Sequence, residues 1–151
     1  MLFCQVRLEG KRPPEAKYPC ELKTIGDHLL KRRLEMGATQ REVALLICCD
    51  PISIYHWEKN QNQPYVKHYP AIIKFLGYNP LPKGNTIGEK ILYCRMTLGL
   101  SRKKLAKRLG VDEGTLGRWE LDRKTPKGDY LNLIDRLFLE MDPLHYDRCE
   151  I

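Results

Sequence analysis

The sequence lacks the features of a membrane, secreted or metal-binding protein. It contains no run of 18 apolar residues, so we expect no membrane-spanning helix and no membrane partner. The N-terminal residues become charged too early for a signal peptide. No C-x-x-C pair occurs among the six cysteines, and the adjacent Cys48 and Cys49 suit neither tetrahedral zinc nor an ordinary structural disulfide. We therefore expect a cytoplasmic protein with reduced thiols and no bound metal.

Signatures of catalysis are also missing. The four histidines are scattered, no Ser/His/Asp or Cys/His arrangement is evident, and no glycine-rich loop could hold a phosphate. These absences argue against an enzyme and against a cofactor. The chain is instead basic, with 26 Lys and Arg against 19 Asp and Glu, a net charge of +7. Such a balance favours a polyanionic partner, either nucleic acid or an acidic membrane face.

The chain contains an internal repeat with an offset of 62 residues. Residues 24–76 align with residues 86–138 without a gap, with 12 identities in 53 positions. Trp57-Glu58 falls on Trp119-Glu120, so both tryptophans of the chain are in register. A repeat of this length indicates two copies of one structural unit.

Each copy has the pattern of four short helices. Thr24 and Thr86 begin a first helix with capping-box spacing, and Gly37 and Gly99 end it. Second helices are predicted at 40–47 and 102–109, third helices after Asp50 and Asp112, and fourth helices at about 69–76 and 129–140.

The predicted fold class is therefore all-α, with two tandem helical domains. The boundaries are an N-terminal extension at 1–23, a first domain at 24–76, a linker at 77–85, a second domain at 86–142 and a tail at 143–151. Alternating apolar residues between Leu2 and Leu8 hint at one short strand in the extension.

Two short helices joined by a tight turn, the second ending in Trp-Glu, resemble the helix-turn-helix of the Cro/phage-repressor family. The motif is a spaced set of residues in each copy. It consists of Gln40, Ala44, Cys48, Ile54, Trp57 and Glu58 in the first, and Arg102, Ala106, Gly110, Leu116, Trp119 and Glu120 in the second. The resemblance implies a sequence-specific regulator of transcription that binds double-stranded DNA, is associated with the nucleoid when bound, and inserts the third helix of each copy into the major groove.

The resemblance also implies roles for individual residues. Arg33 with Glu58, and Arg95 with Glu120, match an internal ion pair of the family. The base-facing positions are Pro51, Ile52, Ser53 and His56 in the first copy, and Glu113, Gly114, Thr115 and Arg118 in the second. Gln40, Arg102 and the adjacent Lys103 begin the second helices and are expected to contact phosphate or a base edge.

The two copies depart from the family pattern in different ways. Cys48 occupies a turn position that favours glycine, and Pro51 and Ile52 offer no hydrogen bond to a base. Gly114 and Gly117 weaken the third helix of the second copy. These departures leave open an alternative, an antitoxin-like or other interaction module in which one copy binds a protein. Self-association is also left open.

Overall fold

The computed structural model describes residues 18–19 and 21–140, and within this range it is all-helical. Eight α-helices and one 3-10 helix, Val66–His68, occur there without a strand, which confirms the predicted all-α class. The hinted strand at residues 2–8 and the tail at 143–151 lie outside the described residues. The helices are α1 (Ile25–Glu35), α2 (Gln40–Ile47), α3 (Pro51–Glu58), α4 (Tyr69–Leu76), α5 (Ile87–Thr97), α6 (Arg102–Leu109), α7 (Glu113–Glu120) and α8 (Asp129–Glu140).

The chain divides into two compact units between Gln63 and Pro64. The first unit contains α1–α3, and the second contains the 3-10 helix and α4–α8. Helix α4 thus belongs to the second unit, whereas the sequence analysis assigned its residues to the first domain. The bounds of α1, α2 and α3 recur in α5, α6 and α7 with the same offset of 62 residues.

The helices begin at side chains that satisfy their first N–H groups. Thr24, Thr39 and Thr86 each form a reciprocal capping box with the acidic residue three positions later. Ser101, Asp50 and Asp112 cap their helices through one side-chain acceptor. The sequence predicts the helix starts at Thr24, Thr86, Asp50 and Asp112, and the six caps together fix the start of every helix in the helix-turn-helix segments.

In the first unit, α3 packs against both α1 and α2. The core of the first unit is formed by one apolar stripe from each of its three α-helices. The buried side chains are Ile25, Leu29, Val43, Ala44, Ile47, Ile54 and Trp57. Ala44 is only 1% exposed. A small residue at this position lets α2 pack closely within the unit.

In the second unit, α7 packs against α5 and α6, α8 packs on the same two helices, and α4 packs against α5. The core consists of Ile91, Cys94, Leu105, Ala106, Leu109, Leu116, Trp119, Ile134 and Leu137. The Pro70 ring of α4 lies close to Gly99. Beyond the end of α4, the Asn79 amide donates to Thr97 Oγ1 of α5 at 2.9 Å, which adds a further contact between the two segments. In residues 18–19 and 21–140, none of the helices combines the length and hydropathy needed to cross a membrane.

Candidate nucleic-acid interface

Each unit contains two short helices joined by a turn of left-handed backbone. Cys48 ends α2 with φ of 58°, and Gly110 ends α6 with φ of 69°. The turn brings the next helix back against the preceding one, so that α3 and α7 keep one face in the core and present the other to solvent. This is the geometry of a helix-turn-helix, in which the second helix is the one that can enter a groove.

A buried ion pair ties the end of α3 to α1 in the first unit, and a second ion pair ties the end of α7 to α5 in the second unit. Arg33 Nε donates to Glu58 Oε1 at 2.5 Å, and Arg33 Nη2 donates to Oε2 at 2.8 Å. In the second unit, Arg95 donates to Glu120 through Nε at 2.5 Å and through Nη2 at 3.3 Å. Both carboxylates are nearly inaccessible, with side-chain exposures of 3% and 2%. Removing one partner would leave a charge buried without compensation.

The first residue of the second helix joins the same network in both units. Gln40 Nε2 donates to Glu58 Oε2 at 2.7 Å, and Arg102 Nε donates to Glu120 Oε2 at 3.0 Å. The structure therefore brings Gln40 and Arg102 to a carboxylate, an arrangement that the sequence analysis did not foresee. The Arg102 side chain remains 43% exposed, so part of its guanidinium surface still faces solvent.

The positions of the first unit that the resemblance predicts to face bases reach the surface of α3. Pro51 and Ile52 are exposed, and Ser53 and His56 are half-buried. Ile52, at 61% exposure, is the most accessible apolar side chain of this helix. His56 Nδ1 contacts Gln61 Oε1, which fixes the imidazole beside the C-terminal end of α3.

The positions of the second unit that the resemblance predicts to face bases differ in chemistry. Glu113, Gly114 and Arg118 are exposed on α7, and Thr115 is half-buried. Thr115 hydrogen-bonds through its hydroxyl and its backbone N–H to the Asp112 carboxylate. The hydroxyl bond from Thr115 is the main cause of the lowered pKa of Asp112, and the positive charge of Arg118 lowers this pKa further. The hydrogen-bond donors of Thr115 are thus occupied by the Asp112 carboxylate, whereas the exposed guanidinium of Arg118 offers N–H donors to a ligand.

The solvent-facing side chains of α2 and α6 differ in chemical character. On α6, Arg102, Lys103, Lys104, Lys107 and Arg108 are all exposed, and this helix contains no acidic residue. On α2, the positions aligned with Lys107 and Arg108 are occupied by Leu45 and Leu46, which are also exposed. A positive surface of this kind on α6 suits contact with phosphate.

An open cavity of about 460 Å³, which the sequence did not predict, lies beside α7. Trp119 and Tyr130 line it with their rings, whose centroids are 5.4 Å apart, and Lys124 and Lys127 add two positive charges from the following loop. The indole Nε1 of Trp119 is buried without a hydrogen-bond partner. The basic residues on both sides of Pro126 were the available signal in the sequence.

A contact between the start of the first helix and the end of the third helix was also missed. Thr24 Oγ1 donates to Asn60 Oδ1 at 2.6 Å, and Asn60 Nδ2 donates to Asp27 Oδ1 at 3.1 Å. In the second unit, Asp122 takes the place of Asn60 and accepts from Thr86 Oγ1 and from the Gly88 N–H. The identical Thr-Ile-Gly tripeptides in the two copies were the signal for this contact.

The described cysteines form no disulfide. Cys48 and Cys49 lie at the turn of the first unit, and Cys94 is buried in the second. Burial raises the pKa of Cys94 to about 11 and also raises the pKa of Cys49. Both thiols are therefore protonated and poorly reactive at neutral pH. In the part of the chain that the structure describes, no three potential ligands cluster to hold a metal ion.

Comparison with known proteins finds similarity to a helix-turn-helix family and to one phage repressor. A helix-turn-helix family model matches residues 91–138, which lie in the second unit. Repressor protein C of Escherichia phage P2 is 47% identical over 47 residues, which are 31% of this chain. The chain spans about half of that relative, 48% of its length. No solved structure matches the chain. The comparisons thus show one helix-turn-helix copy, and they give no support to a separate protein-interaction module.

Proposed function

We propose that this chain is a transcription regulator that binds double-stranded DNA sequence-specifically and inserts its recognition helices into the major groove. The observation that carries the proposal is the arrangement around α7. Its solvent-facing side chains include Arg118, its C-terminal end is held by Glu120, and the helix lies within the segment that matches the helix-turn-helix family. A binding protein without catalysis fits these features better than an enzyme does.

Affinity in this proposal comes mainly from α6. The side chains of Lys103, Lys104, Lys107 and Arg108 are exposed on a helix without acidic residues, so they can neutralise DNA phosphates and release the counterions condensed there. Arg102 adds a further contact at the start of the helix, where the network with Glu120 limits the movement of its guanidinium. These contacts position the protein but do not distinguish bases.

Sequence preference in this proposal comes mainly from Arg118. An arginine in the major groove can donate two hydrogen bonds to guanine, which is worth about 1–3 kcal/mol of discrimination. Glu113 can accept from cytosine, and Gly114 lets the backbone of α7 approach the bases. In the first unit, Ile52 can contact a thymine methyl group, while Ser53 and His56 supply polar groups.

We further propose that the α1–α3 segment and the α5–α7 segment are tandem copies of one DNA-binding module. The recurrence of three helices, their caps and the buried Arg–Glu pair at a constant offset supports this proposal. Gln40 of the first unit then corresponds to Arg102, and Pro51 to Glu113, so the two copies present different groups to DNA.

The proposal is tested by titrating the full-length chain against duplexes selected from a random pool, at several salt concentrations. We expect enrichment of one sequence and a steep loss of affinity with salt, with a log–log slope of about −0.9 for each neutralised phosphate. Addition of EDTA should change neither folding nor affinity. Failure to enrich any sequence, or binding that is independent of salt, would contradict the proposal.

A further inference from the structure

The open cavity beside α7 combines an aromatic wall with two lysines. Trp119 and Tyr130 line it with rings whose centroids are 5.4 Å apart and whose planes are tilted by 58°. Lys124 and Lys127 line it from the loop between α7 and α8, and neither forms a salt bridge within the described residues. The volume of about 460 Å³ is in the range of small-molecule sites, which measure about 300–1,000 Å³.

The helix-turn-helix scaffold does not require the two lysines of this cavity. At the repeat offset of 62 residues, Lys124 aligns with Asn62 and Lys127 aligns with Tyr65. Neither aligned residue carries a charge, although the aligned tryptophan, Trp57, is retained. The positive charge beside the rings is therefore particular to the second copy, and the shared fold does not explain it.

The loop backbone fixes the positions of the two lysines. The Lys124 N–H donates to the Arg118 carbonyl oxygen at 3.3 Å, which holds the loop to the end of α7. Pro126, between the two lysines, is buried. On the other side, the Leu131 N–H donates to the Gly128 carbonyl oxygen at 3.1 Å. The ammonium groups thus extend from a backbone that is held on both sides, which lowers the entropic cost of ordering them around a ligand.

The charges of the lining select the charge of the ligand. Lys124, Lys127 and Asp112 are the charged residues that line the cavity. Hydrogen bonds from Thr115 lower the pKa of Asp112, so this carboxylate is ionised at neutral pH. Two positive charges and one negative charge leave a net charge of +1, which a single anionic group neutralises. Because the Asp112 oxygens already accept from Thr115, the anionic group of a ligand is directed to the lysines.

We propose that this cavity binds a small aromatic carboxylate with one negative charge. The ring of the ligand packs against Trp119 and Tyr130. Its carboxylate accepts charge-assisted hydrogen bonds from Lys124 and Lys127. Thr115 also lines the cavity, so the ligand lies beside the surface of α7 that the proposed function assigns to DNA. The site goes beyond that function and does not depend on it, because the ligand needs no DNA to bind.

The test is a titration of the full-length chain with benzoate in the absence of DNA, followed by calorimetry and by nitrogen–proton correlation NMR. The chain contains two tryptophans, so the indole N–H resonance of Trp119 reports on the site and that of Trp57 serves as an internal control. Two further probes separate the features of the ligand. Benzamide keeps the ring but carries no charge, and acetate keeps the charge but has no ring.

The protein variants remove the same charge from two different places. Lys124→Gln with Lys127→Gln removes the two ammonium groups of the cavity. The matched control is Lys59→Gln with Lys67→Gln, since these two lysines are also exposed but do not line the cavity. Both double variants should keep the melting temperature of the parent chain, because all four side chains are exposed.

For the unmodified chain we expect saturable binding of benzoate with a dissociation constant of about 1 mM or below, and a shift of the Trp119 resonance without a shift of the Trp57 resonance. The cavity double variant should bind benzoate about tenfold more weakly or worse, and the control variant should bind it as the parent does. Benzamide and acetate should each bind about tenfold more weakly than benzoate.

Several results would overturn the proposal. Acetate binding equal to that of benzoate would indicate a general anion site, and equal benzamide binding would indicate an apolar pocket without charge selection. Absence of saturation, an equal shift of the Trp57 resonance, or unchanged benzoate affinity in the cavity double variant would each exclude the aromatic carboxylate site. An equal loss of affinity in the control variant would assign the binding to net charge instead of the cavity.

Discussion

Cys48 and Gly110 occupy the same turn of the two units, and both have a left-handed backbone. Glycine adopts this conformation without strain, whereas the Cβ of any other L-residue crowds the carbonyl oxygen, which costs about 1–2 kcal/mol. The first unit therefore contains a strained turn immediately before α3. The exposed Cys48 thiol compensates only weakly, since Sγ lies 3.8 Å from the carbonyl oxygen of Leu45.

Replacement of Cys48 by glycine should stabilise the protein. Relief of the strained φ is offset in part by the greater freedom of glycine in the unfolded chain, about 0.4–1 kcal/mol. The net gain in the free energy of unfolding should be about 0.5–1 kcal/mol. Urea denaturation measures it, with Gly110→Ala as the reciprocal control. If Cys48→Gly lowered stability, the left-handed conformation would not be the source of strain.

At the scale of the helix, glycines of the second unit have opposite roles. A Cβ on Gly88, in α5, would overlap the carbonyl oxygen of Trp119 and crowd the carboxylate of Asp122. A Cβ on Gly117, in α7, would lie 3.6 Å from the Arg102 side chain, an ordinary contact distance. Gly88 is thus required for the close approach of the end of α7, while Gly117 only weakens its helix.

Alanine at these two positions should therefore shift stability in opposite directions. Gly88→Ala should lower the free energy of unfolding by about 1–3 kcal/mol through overpacking. Gly117→Ala should raise it by up to about 1 kcal/mol through helix propensity. Thermal melting of both variants beside the parent chain measures the difference. Equal effects of the same sign would show that the described contact between α5 and Trp119 is wrong.

The helix caps should make the fold sensitive to acid. Backbone N–H groups of Asn85 and Thr86 lower the pKa of Glu89, and the Thr115 bonds lower that of Asp112. Because each folded pKa lies below its unfolded value, the stabilisation is complete above the ordinary values of 4.5 and 3.8 and is lost as the pH falls through the folded values.

Melting temperatures at pH 7 and pH 3 test this effect. The melting temperature of the parent chain should fall from pH 7 to pH 3. The melting temperature of the Glu89→Gln variant should fall less, because glutamine does not titrate in this range. A Glu89→Gln variant with the full pH dependence of the parent chain would show that this cap contributes nothing to it.

Much of the helical scaffold was predictable because its determinants are local. Capping residues, apolar periodicity and turn glycines specified the bounds of α2 and α6, and the repeat placed α3 and α7 in register. The network of Gln40 or Arg102 with the buried glutamate was not predictable, since it joins residues 18 positions apart through side-chain geometry. The same holds for Gly26 and Gly88, whose requirement arises only from the packed end of the third helix.

At the scale of the whole molecule, the two units share a scaffold but differ in surface chemistry. The second presents a basic α6 and Arg118, while the first presents the exposed leucines of α2 and the apolar Ile52 of α3. Because phosphate neutralisation supplies most non-specific affinity, we expect the second unit to contribute the larger share of DNA binding. The first unit then adds shape and apolar contacts rather than charge.

In the proposed complex with DNA, α7 recognises bases while α6 contacts the phosphate backbone. The most direct measurement compares Arg118→Ala with Lys103→Ala on a panel of single-base variants of the selected duplex. Arg118→Ala should reduce discrimination at one or two adjacent positions by about 1–3 kcal/mol and leave the circular dichroism spectrum unchanged. Lys103→Ala should weaken binding to every duplex by a similar factor and reduce the salt slope by about one. If Arg118→Ala instead weakened binding to every duplex equally and left base discrimination intact at every position, Arg118 would not be a base-reading residue.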